Sequence, residues 1–340
     1  MTIRDRGAIH NKAQESLANA KGDPKKILLI YLGIVTALSV VVAVFSVVLS
    51  NRIDETGGLS NMGLRSVLST AKTVLPIVQS LVLMGLKVGY NTMTMRIARG
   101  ESVSEQTLFG GFRRFFPLLR AEILLGFLYM AAGMFAAYAG AYLFVMLPVS
   151  KAFQDIVTPL MESATTLGGA ITLDEATMAA VVDAMMPMLW IFLGLFLLLF
   201  IPMKYRYRMV IYRLIDQPRP GALRAIHESR IMMHRNRFAL LKLDLSFWWF
   251  YLLQLLITVV CYGDVILALV GITLPWSAAV SYLVLLGLSL VLQLVVYYFF
   301  MNRVSVTYAT AYETLLPQLN PQPNSEMPQM STNVPWQNQY

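Results

Sequence analysis

The sequence predicts an all-α, polytopic transmembrane bundle of about six spans, and three observations predict it. The 340-residue chain is 57% hydrophobic and only 14% charged, whereas a soluble domain carries about 25% charged residues. Its uncharged residues gather into separate runs, and an apolar run of about 18–20 residues is long enough to cross a bilayer. Its positive charges cluster at the ends of those runs, above all in residues 204–242, which hold ten Lys or Arg and two acidic residues.

Residues 1–26 are polar and basic. Ile9, Ala13 and Leu17 recur at helical spacing, which predicts a short amphipathic helix lying on the membrane surface. The first span is 27–50. It is longer than the apolar part of a signal peptide and lacks a small-residue cleavage site, so it reads as a retained anchor. The second span, 73–95, is the weakest, because it contains Gln79, Lys87 and Asn91. Ser102 with Glu105 matches a capping box, which predicts a short interfacial helix through Leu108, Phe109 and Phe112. The third span is 118–147, in which Ala132, Ala136 and Gly140 form a small-residue stripe that lets another helix approach closely. A connection over 148–184 is acidic, and Thr172 with Glu175 gives a second capping box leading toward the fourth span, 185–203. The fifth and sixth spans are 243–262 and 276–300. Residues 317–340, rich in Pro, Gln and Asn, have too few apolar side chains to pack and read as a disordered tail. The organisation is therefore an N-terminal segment at 1–26, a membrane domain at 27–316 and a tail at 317–340.

The charges orient the spans. With the N-terminus in the cytoplasm, only Arg52, Arg65, Lys72 and Lys151 of the 27 positive residues fall outside, and only Lys87 falls deep within a span. The reverse threading violates the positive-inside bias. Both termini are then cytoplasmic. The net charge of +8 is accounted for by this bias, so it does not indicate nucleic acid. Cys261 is the only cysteine, and the chain has three histidines, which leaves no intrachain disulfide and argues against zinc clusters or a histidine-rich metal site. No nucleophile elbow, phosphate-binding glycine loop or HExxH is present. No cofactor is expected.

The third span opens with Phe116-Pro-Leu-Leu-Arg120-Ala-Glu122-Ile, and the fifth with Phe238-Ala-Leu-Leu-Lys242-Leu-Asp244-Leu. Both read F-x-L-L-[KR]-x-[DE]-[IL], which suggests an internal repeat of two hairpins, spans 2–3 and 4–5. Lys87 is the only basic residue deep in a span, and an intramembrane charge is a functional candidate by default. Glu122 and Asp244 lie about one helical turn inside the inner boundary, within reach of an inward-snorkelling Lys87. A charge cluster of Lys87, Glu122 and Asp244 is therefore expected, serving either helix packing or a transport path. Gln254 and Gln293, near the centres of the last two spans, are expected to make interhelical hydrogen bonds. Within the basic block, Ala222, Ile226, Ser229 and Met233 share a helix face, and Arg224, Arg235, Arg237 and Lys242 are candidates to contact anionic lipid headgroups on the cytoplasmic side.

Around this block the chain resembles a known family. The run from Tyr205 to Phe250 is similar to the C-terminal signature of an uncharacterised bacterial membrane family, domain of unknown function 975. Its residues are Tyr205 and Tyr212, Asp216 and Pro218, Ala225, Ile226, Ser229 and Met232, then Phe238, Leu245, Ser246, Phe247 and Trp248. The N-terminal KAQESLANAKGDPKKILLIYL and the segment ARGESVSEQTLFGGF are similar to it as well. His234 and the long acidic connection depart from the pattern. The resemblance implies a multi-spanning protein of a bacterial cell membrane and supplies no activity or catalytic residue. The leading expectation is a non-catalytic organiser of lipids or of partner proteins, itself included as a homo-oligomer. The alternatives are a small transporter or permease-like subunit using Lys87, and a membrane lipid-modifying enzyme.

Overall fold

The computed structural model describes residues 3, 5–55, 62–148, 150–167, 175–217, 221–263, 266–267 and 278–319. Among the described residues the regular structure is helical, apart from an isolated backbone bridge between Lys21 and Ser102. The helices are α1 (Arg6–Ala18), α2 (Pro24–Glu55), α3 (Met62–Ala98), α4 (Glu105–Phe109), α5 (Phe115–Met146), α6 (Ser150–Leu167), α7 (Glu175–Arg206), α8 (Val210–Asp216), α9 (Gly221–Met233), α10 (Arg237–Ser246), α11 (Trp248–Cys261) and α12 (Ala278–Leu315). A 3-10 turn over Gly110–Arg114 joins α4 to α5, and another over Leu316–Gln318 follows α12.

Among the described residues five helices are long and apolar enough to cross a membrane, or six if α10 and α11, bent by 68° at Phe247, count as one broken span. This matches the expected number. The outer faces fit hydrocarbon rather than water. Phe135 is 64% exposed, Tyr138 72% and Leu198 69%, and soluble monomers rarely expose large contiguous apolar surfaces.

The molecule has two zones. At roughly 1.5 Å per residue, the 37 residues of α3 reach about 55 Å, well beyond the ~30 Å of a hydrocarbon core. The surplus is packed in protein. Leu86, Tyr90, Met93 and Ile97 are buried, whereas residues 63–78 of the same helix are almost all exposed. The last helix follows a similar pattern, with Val306, Ala309, Tyr312 and Leu315 buried and the residues of the 290s half-buried or exposed. The ends of α3 and α12 thus meet α1, α8, α9 and α10 in a dense cap. Arg96, Arg99, Arg303 and the 204–242 block lie here, so it is called the basic end below.

Beyond the cap the spans fall into two groups. One is α2, α3, α11 and α12, and the other is α5 with α6 and α7. Helix α5 joins the cap through Leu118, Ala121 and Leu125. Farther along, Gly140 lies against Phe192 of α7, and Phe144 meets Phe153 of α6 edge-on at 5.9 Å. The stripe of Ala132, Ala136 and Gly140 is therefore spent on packing within the chain.

Four expectations are corrected in detail. Helix α1 forms, but Ile9 and Ala13 are buried against the protein, and α1 packs chiefly on α12 instead of lying on lipid. The N-cap of α4 is Ser104 instead of Ser102: its amide donates to Thr107 Oγ1 at 3.4 Å. The fifth span is not one straight helix from 243 to 262, because it breaks at Phe247. The two echoed segments consequently differ, with Phe116–Glu122 running into a straight α5 and Phe238–Asp244 ending just before that break. The second capping box rests on Thr172, and the tail from 320 onward likewise lies outside the described residues.

Candidate functional site

The break at Phe247 is built around one carboxylate. Asp244, in the last turn of α10, accepts from Arg208 Nη1, from Tyr205 Oη at 2.7 Å and from Tyr308 Oη at 2.7 Å. Tyr251 of α11 shares a hydrogen bond of 2.6 Å with the Tyr308 hydroxyl, and the Arg208 guanidinium lies 4.4 Å over the Tyr308 ring. Helix α7 ends at Arg206, and the turn at 207–209 brings Arg208 inward. Phe247 is 1% exposed and sits between His10 and Tyr308. Ends of α7, α10, α11 and α12 are thereby pinned to one point, and a buried carboxylate is tolerable because it is paired and hydrogen-bonded on both oxygens.

A second network lies beside it. Arg99, just past α3, bonds Asp216 at 2.7 Å and Glu313 at 2.8 Å. Tyr312 Oη donates to Asp216 at 3.2 Å. Arg213 bridges Asp216, at 3.5 Å, and Glu228, which also accepts from Arg224 at 2.9 Å. Burial opposes charge on Arg99, but Asp216 and Glu313 outweigh it and hold the guanidinium above its ordinary value. Burial likewise opposes the Glu228 carboxylate, and Arg213 and Arg224 outweigh it, keeping the carboxyl below the usual range.

The third feature is open. Thr92 and Arg96 of α3, Gln106 and Thr107 of α4, and Arg113 and Arg114 of the following turn line a recess of about 790 Å³. Arg96 Nη1 donates to Thr107 Oγ1 at 3.3 Å, its nearest carboxylate is Glu101 at 3.9 Å, and Arg114 Nη1 donates to the Ile215 carbonyl. Glu105 is committed to Lys26 at 2.7 Å. Among the described residues the three guanidiniums therefore have little compensating negative charge. Phe109 in its wall is 50% exposed, and Phe112, the residue before Arg113, is 41% exposed. Close backbone contact holds the recess in place. A Cβ on Gly89 would strike the Leu108 carbonyl, and one on Gly111 would strike the backbone of Gly85 and Gly89. The Gly110-Gly111 pair reads from sequence as a simple kink, and its role in this contact is visible only in three dimensions.

The predicted charge cluster does not assemble. Lys87 and Glu122 are both exposed, on α3 and α5, and neither makes an ion pair among the described residues. Asp244 is buried and already claimed by Arg208. The turn after α7 places a cation beside it that span positions alone do not reveal. Of the expected headgroup contacts, Arg235 and Lys242 do come together, joined by Arg6 and Phe238 around a recess of about 280 Å³. Arg224 is instead bonded to Glu228, and Arg237 is half-buried with its Nε unpartnered. Gln254 and Gln293 face a shared cavity, with no hydrogen bond to Gln254 Nε2.

Residues 1–316 match the family described as "Protein of unknown function (DUF975)". The chain belongs to that family. No curated protein and no solved structure matches it. Several of the residues that carry the DUF975 resemblance build the cap, whereas Phe238, Leu245 and Trp248 are exposed and Pro218 lies outside the described residues. Tyr205 and Asp216 serve its two networks, and Tyr212 stacks on Tyr312 with centroids 5.7 Å apart. The Ser229 hydroxyl donates to the Arg206 carbonyl at 3.1 Å, and Met232 is fully buried. Phe247 is the wedge at the break. In this DUF975 chain much of the signature thus serves the packing of the basic end.

Proposed function

We propose that the protein is a non-catalytic organiser of anionic lipid in a bacterial cytoplasmic membrane, with its basic end and both termini on the cytoplasmic side. The recess of Arg96, Arg113 and Arg114 carries this reading, because it offers clustered, undercompensated guanidiniums beside exposed aromatic side chains at the level where the spans leave the hydrocarbon. Guanidiniums match phosphate oxygens in a planar fork, and each basic residue near an anionic surface contributes about 1 kcal/mol. The smaller recess of Arg6, Arg235 and Lys242 supplies a second cationic contact in the same cap. The non-catalytic part is supported by Asp244, whose oxygens are taken up by Arg208 and two tyrosines and so are poorly placed to handle a substrate proton. The transport alternative is less favoured, because among the described residues Lys87 and Glu122 make no ion pair and Asp244 is paired with Arg208.

The test is binding of phosphatidylglycerol, compared with phosphatidylcholine, by native mass spectrometry of the full chain. We expect selective phosphatidylglycerol adducts that weaken about fivefold in Arg113→Gln, the size of one lost surface charge. Arg113 is the suitable position because Arg114 also holds the Ile215 carbonyl. Equal retention of the two lipids, or an unchanged preference in Arg113→Gln, refutes the proposal.

A further inference from the structure

Between α2, α3, α11 and α12, in the half of the bundle away from the basic end, lies a cavity of about 490 Å³. Binding sites for small molecules typically occupy roughly 300–1,000 Å³. Its wall includes Ser39 and Ser46 of α2, Gln79 of α3, Gln254 and Thr258 of α11, and Gln293 of α12. No Lys, Arg, His, Asp or Glu is among the described residues that line it.

Some of these groups satisfy one another. Gln79 Nε2 donates to Ser39 Oγ at 3.2 Å, and Thr258 Oγ1 donates to the Gln254 carbonyl of its own helix at 2.9 Å. Gln254 Nε2 has no partner although the atom is buried. An amide donor left unbonded away from water costs about 1–3 kcal/mol, and more within a bilayer. A leucine at position 254 would avoid that cost, so a polar side chain in this wall is explained if a ligand in the cavity it lines draws the amide round to bond it.

The wall's chemistry restricts what that is. A charged ligand would leave water without a counter-charge to meet it. An apolar ligand would strip the hydroxyls and amides of partners. We infer that the cavity binds an uncharged, hydroxyl-rich group, namely a sugar or polyol, either free or as the headgroup of a neutral glycolipid. This site is separate from the cationic recess and does not depend on the anionic-lipid reading.

The experiment measures thermal shift and native-mass adducts of the full chain with glucosyldiacylglycerol, diacylglycerol, free maltose and phosphatidylglycerol. Glucosyldiacylglycerol or maltose is expected to raise the melting temperature and form a stoichiometric adduct, and diacylglycerol is not. Binding of the glycolipid alone identifies the membrane as the source, and binding of maltose identifies the aqueous side. Gln254→Leu is expected to weaken binding about tenfold while eluting as a monodisperse species. Ser39→Ala, a gentler change, should weaken it in the same direction and guards against a folding defect in the first variant. Either no adduct with both glycosyl probes, or full-strength binding in both variants, overturns the inference. So does competition by phosphatidylglycerol at this site, read as displacement of the glycosyl adduct.

Discussion

Asp244 ties its own helix to two other parts of the chain. It takes an ion pair from Arg208 and a hydrogen bond from Tyr205, at or just past the end of α7, and a second tyrosine hydrogen bond from Tyr308 of α12. Removing one member of a buried pair costs about 3–5 kcal/mol, because the remaining charge is left uncompensated. Asp244→Ala is therefore expected to lose that much in denaturant titration in micelles, whereas Tyr251→Phe, which removes one hydroxyl contact, loses about 0.5–1.5 kcal/mol. Equal losses would show that the carboxylate is not the keystone. His10 makes a second prediction. Burial, assisted by Arg303, lowers its pKa from 6.5. A histidine whose folded value is depressed contributes full stability above its unfolded pKa and loses it as the pH falls through the folded value. Docking of α1 should weaken as pH drops below about 6.5, seen as faster proteolysis near residue 19, and His10→Leu should flatten that response. Neither role is legible in the sequence. Asp244 stands out there as an acid near a span, but its partner Arg208 looks like one more topology charge.

Among the elements, the long spans are the most legible, because length and apolarity decide them. The break between α10 and α11 is not, since Leu245 to Phe250 contains neither Pro nor Gly and remains compatible with helix. The break accompanies the tertiary anchoring of Asp244 and Phe247, to which local propensity is blind. The segment from α4 to Arg114 was legible as a short helix but not as a docked one. Its contact with α3 yields a prediction of its own. Gly89→Ala forces α4 away from α3 and should destabilise by about 1–3 kcal/mol, the usual cost of overpacking. It should also weaken phosphatidylglycerol binding, although it removes no charge. Normal lipid binding in that variant would separate the recess from the close contact that frames it.

The whole molecule joins a broad lipid-facing zone to a cap packed much like a soluble protein. Charge asymmetry predicts which side the cap faces. In a Cys261→Ser background, Lys151→Cys should react with a membrane-impermeant thiol reagent in intact cells, and Arg235→Cys only after permeabilisation. The reverse pattern inverts the topology. Composition made the spans visible but not the cap. Its interior is assembled from ends of helices distant in sequence, such as Arg99 with Glu313 and Tyr90 with Asn302, whose hydrogen bond is 2.7 Å. Such pairings have no periodicity to detect.

The seating of α1 bears on biogenesis. This helix precedes every other described helix in the chain, and its main contact is with α12, the last of the described helices. Contacts of such long sequence separation form late. During insertion Ile9 and Ala13 therefore wait without their final partner until α12, which begins only at Ala278, has been synthesised. Completion of the cap then depends on the synthesis of α12, so a product truncated before α12 lacks the surface against which α1 must close.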